Sequence, residues 1–139
     1  GLSRKQIKTR KQAIIEGYDL QHVEDTLVKE IPLGWKQKLA FSLALIHEPK
    51  VVFLDEPTGG VDPITRRQFW DLIYQAAHDG VTIFVTTHYM DEAEYCDRVS
   101  IMVDGKIKAM DTPAGLKQEY QVDTMDAVFQ ILARGTSAR

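Results

Sequence analysis

Two short apolar runs, each ending in titratable residues, together with the helical stretch between them, predict an α/β protein with a parallel sheet. Residues 51–56 read Val-Val-Phe-Leu-Asp-Glu and residues 81–88 read Val-Thr-Ile-Phe-Val-Thr-Thr-His. Each run is too short to span a membrane and lacks helical spacing, so each reads as a strand buried on both faces. Strand, helix and strand in succession form a βαβ unit, whose crossover makes the two strands parallel. Open parallel sheets bind ligands beyond the carboxyl ends of their strands. Asp55, Glu56 and His88 are therefore candidate site residues on one edge of the sheet.

The elements follow in chain order. Residues 4–18 place Ile7, Ile14, Ile15 and Tyr18 on one helical stripe, and residues 21–29 set Val23 and Leu27 four apart with Val28 beside them. Two short amphipathic helices are expected there. Pro32 and Gly34 interrupt the pattern, after which Trp35, Leu39, Leu43 and Ile46 mark a strong helix that ends before Pro49. The first strand, 51–55, leads into a tight loop set by Pro57, Gly59, Gly60 and Pro63. Residues 64–77 then read as a helix with Phe69, Leu72, Ile73 and Ala76 inward, and Asp79-Gly80 stops it before the second strand. Beyond His88, residues 89–96 read as a short acidic helix, 98–103 as a third strand, and Asp104-Gly105 as a hairpin turn into 106–110. Thr112-Pro113 opens another helix, and Met125, Val128, Phe129 and Leu132 stripe the last. The chain contains no internal repeat and no low-complexity linker.

Bulk composition narrows the class. A chain of 139 residues is about one domain and can bury a core. Its 44% hydrophobic and 27% charged residues describe an ordinary globular protein. A net charge of −3 argues against nucleic acid as a partner, because phosphate binding wants a basic field. The cluster Arg4, Lys5, Lys8, Arg10 and Lys11 reads as a solvated helix face, with an acidic partner surface as the alternative. A single cysteine, Cys96, excludes an internal disulfide and a cysteine-rich metal site, and reads as a small buried residue. The uncharged stretch 39–46 is far shorter than the roughly 20 residues a bilayer needs, and no signal peptide is evident. The chain opens on Gly rather than Met, which suggests a piece of something longer.

Residue chemistry then proposes roles. A carboxylate at a strand end suits Mg²⁺, usually through water, because that cation keeps most of its hydration shell. Asp55 fits this role, and Glu56 beside it could orient or deprotonate a water; the alternative is two carboxylates that merely solvate a strand exit. His88 could hydrogen-bond a transferring phosphate, or could be a satisfied cap. His22, His47 and His78 have no partner at metal-ligand spacing. In residues 31–38, Ile-Pro-Leu-Gly-Trp-Lys-Gln-Lys, Gly34 stands at the start of a helix with lysines in its first turn. Helix N-termini present unpaired N–H groups and a positive dipole end, so an anion site is one reading and a simple bend the other.

Taken as an ordered set, Leu33-Gly34-Trp35-Lys36-Gln37-Lys38-Leu39, the run from Val51 to Thr58, Gly60-Val61-Asp62-Pro63, and Thr86-Thr87-His88 resemble the ATP-binding subunit of an ATP-binding cassette (ABC) transporter. Tyr89-Met90-Asp91-Glu92-Ala93-Glu94 and the tail from Gly105-Lys106-Ile107 to Leu116 are most similar to the drug- and polysaccharide-export type. The resemblance implies a P-loop NTPase-type parallel sheet with flanking helices. Residues 1–34 would be the end of a helical subdomain with a variant signature motif, 35–111 the α/β core with its hairpin, and 112–139 C-terminal helices. It implies ATP and Mg²⁺ as cofactors, with Asp55 as the Walker B aspartate that holds Mg²⁺ through water. Glu56 would polarise water, and His88 would contact the γ-phosphate. Gly34, Trp35, Lys36 and Gln37 would reach, across a dimer, the nucleotide of a second ATP-binding cassette, and Asp62 would lie at that interface. A transmembrane permease is the implied membrane partner, which puts the chain in the cytoplasm, peripheral on the inner face of the cell membrane. The implied function is coupling of ATP hydrolysis to export. Alternatives are a half-cassette serving as a regulatory module and a soluble cassette ATPase outside transport.

Two departures from the family pattern matter. The family's signature carries Ser-Gly-Gly where Pro32 and Leu33 now precede Gly34, and Pro32 offers neither hydroxyl nor N–H. The G-x-x-x-x-G-K-[ST] phosphate loop does not occur in the sequence. In the family, that loop's strand lies inside the sheet between the strand ending at His88 and the one at 98–103. The sheet is thus expected to be incomplete and the chain alone inactive. It should close up, borrow a strand from another copy, or displace the 98–110 hairpin.

Overall fold

The computed structural model describes residues 3–135, which fall into two compact units, one ending at Thr86 and one beginning at Thr87. The first unit opens with α1 (Arg4–Gly17), started by a reciprocal cap in which Ser3 Oγ accepts from Gln6 N–H and Gln6 Oε1 from Ser3 N–H. Ile15 of the expected stripe is buried, whereas Ile7 is exposed. The basic cluster is not uniformly solvated. Arg10 donates to the Ile46 carbonyl at 2.9 Å and pairs with Glu48 at 2.9 Å, and Lys11 pairs with Glu24.

The helix expected over 21–29 does not form. Two 3₁₀ turns, Gln21–Val23 and Val28–Glu30, stand there, and Leu27 and Val28 are exposed. A nine-residue segment cannot sustain an α-helix by propensity alone, and here no packed face rewards nucleation. Helix α2 (Leu33–Leu45) forms as expected but turns a different face inward. Gly34, Lys38, Phe41 and Ser42 are buried, while Leu43 is exposed. So many of its residues are apolar that periodicity cannot choose a face, and the choice falls to its neighbours, α1 and α3. Tyr18 at the end of α1 and Phe69 of α3 (Pro63–His78) both lie against the Phe41 ring.

Helix α3 connects β1 (Val51–Asp55) to β2 (Thr82–Thr86), and the two strands pair in parallel with Val51 opposite Thr82 and Asp55 opposite Thr86. The βαβ expectation is thus met. Asp79 ends α3 and Gly80, at φ +91°, makes the left-handed step that lets the chain turn into β2. Phe69, Trp70, Ile73 and Ala76 of α3 are buried, and Val52 is buried on β1. The strands are not covered on both faces, however. Phe53 is 75% exposed and Phe84 55% exposed, their rings 5.7 Å apart on the uncovered side.

In the second unit, the acidic helix is a single turn, α4 (Met90–Ala93), continued by turn hydrogen bonds as far as Cys96. Strands β3 (Val99–Val103) and β4 (Lys106–Asp111) form an antiparallel hairpin. Asp104 (φ +49°) and Gly105 (φ +71°) supply the two left-handed residues that a two-residue hairpin loop demands. Helix α5 (Pro113–Tyr120) has Thr112 as N-cap and Pro at its first position, and α6 (Met125–Arg134) is capped by Thr124. Ala93, Ile101, Leu116, Met125 and Val128 form the core of this unit. Glu94 ties its pieces together, pairing with Lys117 at 2.6 Å and accepting the Met125 N–H.

The closed-up sheet is not formed. Among the described residues, β2 pairs with β1 and β3 with β4, giving two separate two-stranded sheets. The hairpin turn gives β3 a local partner at little loop-closure cost, and β2 alternates exposed with half-buried residues, so its unpaired edge is not sealed in a core.

Candidate functional site

The groups nominated from the sequence divide between the two units, Asp55, Glu56, Asp62 and the start of α2 in the first and His88 in the second. In the first, Asp55 ends β1 opposite Thr86, which ends β2. The Thr86 hydroxyl donates to Asp55 Oδ1 at 2.6 Å and accepts the Glu56 N–H at 3.0 Å, while the Thr86 carbonyl also accepts that N–H at 3.1 Å. One threonine therefore orients one carboxylate and anchors the backbone of the next. Glu56 sits at φ +43°, a left-handed conformation that turns the chain sharply at the strand end. Both carboxylate residues are exposed, as a site at the carboxyl edge requires. Thr86 entered the sequence reading only as part of a motif. Its signal as a partner was its place opposite Asp55 once the strands are put in register.

A single carboxylate oxygen braced by a hydroxyl suits a cation held largely through water. No group of three His, Cys, Asp or Glu residues gathers as a metal cage among the described residues. Asp55 would thus hold Mg²⁺ only together with phosphate oxygens and water, which is the way that ion is usually bound.

At the start of α2, the nominated side chains face partners within the chain. Lys36 Nζ donates to the Lys29 carbonyl at 3.2 Å, and Gln37 Nε2 donates to the Gly59 carbonyl at 3.3 Å. The Trp35 ring meets His22 edge-on at 4.7 Å and carries the Lys38 ammonium 4.4 Å from its centre. Gly34 is required by packing, since a Cβ there would collide with Thr65 Cγ2 of α3. Pro32 caps α2 without a side-chain hydrogen bond, so the backbone N–H groups of the first turn are what this end presents. Asp62 is the N-cap of α3. Its Oδ2 accepts the Thr65 hydroxyl at 2.5 Å and its Oδ1 accepts the N–H groups of Thr65 and Ile64, which together hold its pKa below the usual carboxylate value.

In the second unit, His88 is exposed and its ring lies 4.2 Å from that of Tyr89 at 36°. The Thr87 hydroxyl accepts the Tyr89 N–H at 3.0 Å and donates to Glu92 Oε2. Cys96 lies on the next turn. Burial, with Glu92 and Asp97 adding to it, pushes its thiol up to about 11. No helix among the described residues is long and apolar enough to cross a membrane.

A family model described as "AAA domain, putative AbiEii toxin, Type IV TA system" matches residues 4–90. The chain is 48% identical over 119 residues to the probable multidrug ABC transporter ATP-binding protein YbhF of Escherichia coli, which covers 82% of this chain and 21% of that protein. It is 47% identical over 93 residues to a fluoroquinolones export ATP-binding protein of Mycobacterium tuberculosis, covering 66% of this chain and 31% of the relative. Among solved structures, cbiO1 of Clostridium perfringens, described as part of the ABC transporter complex cbiONQ, superposes with a TM-score of 0.77 at 30% identity. That match covers 86% of this chain and 48% of the other. The chain thus spans about a fifth of YbhF and about half of the solved cassette.

Proposed function

The chain belongs to the AAA-domain family and, by its relatives, to the ATP-binding cassette (ABC) transporter ATP-binding proteins, and from that premise we propose that it serves ATP hydrolysis coupled to export across a membrane. The observation that carries the reading is the Thr86 hydroxyl bridging the Asp55 carboxylate and the Glu56 backbone at the carboxyl edge of a parallel strand pair. Asp55 is the group that would hold Mg²⁺ through water, and the cation would supply charge neutralisation at the phosphates. Glu56, fixed at its backbone by Thr86, orients and deprotonates the attacking water. His88 donates a hydrogen bond to the γ-phosphate. These are positioning and electrostatic tasks, which dominate phosphoryl transfer.

The start of α2 has a second role in this reading. Its first-turn N–H groups, with Gly34, Trp35, Lys36 and Gln37 around them, face the nucleotide of a second cassette, and Asp62 belongs to the same interface. Because Lys36 and Gln37 are engaged with carbonyls of their own chain, the helix backbone rather than these side chains carries the anion contact. A transmembrane permease is the coupled partner, which places the protein at the inner face of the membrane. The similarity to YbhF, a probable multidrug ABC transporter ATP-binding protein, and to the fluoroquinolones export protein supports the export reading.

The test uses the complete gene product with its membrane partner. Glu56→Gln should lower ATP hydrolysis about 10²–10⁴-fold while nucleotide binding stays unchanged. Equal loss of both would overturn the assignment and mark Glu56 as structural.

A further inference from the structure

We propose that Thr87 and Glu92 are positioning residues that hold the His88 imidazole in its working orientation, an inference that rests on the ATPase reading of His88 given above. Glu92 is fully buried at 0% exposure, an unusual place for a carboxylate unless its acceptors are used. The Thr87 hydroxyl donates to Glu92 Oε2 and accepts the Tyr89 N–H, and the Glu92 N–H donates to the Tyr89 carbonyl at 3.1 Å. Residues 87 and 89 are thereby tied to the same glutamate, and His88 is the residue between them.

The arrangement exceeds what a helix cap needs. Tyr89 is the N-cap of α4 and Glu92 its third residue, and in a capping box the glutamate meets the N-cap N–H directly. Here the Thr87 hydroxyl stands between the two. The interposed hydroxyl adds no bond to the helix backbone beyond the one at Tyr89. What it adds is a fixed position for Thr87, which leaves the backbone on both sides of His88 anchored. The Tyr89 ring, 4.2 Å from the imidazole, then supports one side of it. The exposed ring is carried on a half-buried tether, and a hydrogen-bonding group that must meet a phosphate oxygen in a set geometry depends on such support.

The experiment compares variants in the complete gene product with its membrane partner. Thr87→Val keeps the side-chain shape and removes the hydroxyl. The expected result is a fall in kcat of about 10–100-fold with KM for ATP within about twofold. Thr87→Ser should recover most of the rate. In a His88→Ala background, Thr87→Val should cause no further loss, because a residue that acts through His88 has nothing left to position. Thermal melting accompanies each variant. Wild-type kcat in Thr87→Val, full multiplication of the two losses in the double variant, or a rate loss that tracks unfolding would each overturn the inference. If His88→Ala itself leaves hydrolysis unchanged, the ATPase reading of His88 fails and this inference with it. If His88→Ala is impaired and Thr87→Val is not, this inference alone fails.

Discussion

Gly34 shows how one residue can be retained for a reason other than the one its motif suggests. At the sequence level it reads as part of a nucleotide-facing loop, yet its Cβ position is filled by the Thr65 methyl across the α2–α3 contact. Gly34→Ala should therefore destabilise the fold by about 1–3 kcal/mol, the usual cost of overpacking. Thr65→Ser removes that methyl and keeps the hydroxyl bonded to Asp62, so it should restore stability in the double variant. Denaturant unfolding of the four proteins tests this, and additive losses would show that the contact with Thr65 is not what the added methyl disturbs. Cys96 makes a second case at this scale. Its thiol is held up to about 11 by burial and by Glu92 and Asp97, so its alkylation rate should still be climbing above about pH 10, where an ordinary thiol near 8.5 has levelled off. A plateau near pH 9 would show the thiol to be unperturbed. The Asp55 and Glu56 nominations were legible because titratable groups at the end of an apolar run are rare. Thr86 was not, since a threonine in a strand is ordinary until strand register puts it opposite a carboxylate.

Elements were readable where chemistry is local and unreadable where a neighbour decides. Asp104-Gly105 announces its hairpin because only residues tolerant of positive φ fit a two-residue loop. Thr112-Pro113 announces α5 by the same kind of local rule, an N-cap oxygen followed by a ring with no N–H to satisfy; Asp62-Pro63 opens α3 in the same way, although Pro63 reads in the sequence as part of the preceding loop. The inner face of α2 and the absent helix over 21–29 depend instead on packing, about which a single sequence is silent. The α3 cap leads to a pH prediction. Asp62 has its pKa depressed by the Thr65 hydroxyl and by backbone N–H groups, so the folded protein binds its proton more weakly than the unfolded chain does. Its contribution is complete above the ordinary carboxylate value of 3.8 and fades as pH falls through the lower folded value. The effect is modest because the group is exposed to solvent. Asp62→Asn keeps an oxygen for the Ile64 and Thr65 N–H groups but cannot titrate. Its melting temperature should fall less steeply than the wild type's below about pH 4. Identical acid profiles would assign the depression to the unfolded state instead.

At the scale of the whole molecule, both strand pairs have a covered and an uncovered face. Val52 is buried on β1, while Val51, Phe53 and Phe84 are exposed; on the hairpin Ile101 is buried, while Met102, Ile107 and Met110 are exposed. This is why the sequence reads as strands buried on both sides: apolar residues occupy both faces, as they do in a parallel sheet sandwiched by helices, and the described residues cover one. Two-stranded sheets are also marginal on their own, and an unpaired edge beside an exposed aromatic pair is a template for association. The 139-residue chain by itself should therefore self-associate as its concentration rises. Phe53→Lys combined with Phe84→Ser removes the aromatic pair from a surface that contributes little burial. It should abolish association while shifting unfolding free energy by no more than about 0.5 kcal/mol. Sedimentation velocity across a concentration series, paired with urea unfolding of both proteins, makes the comparison. A wild-type chain that stays monomeric throughout would mean that the exposed phenylalanines are not sticky in this context. Association that survives the double substitution would move the contact to the hairpin's Met102, Ile107 and Met110 face.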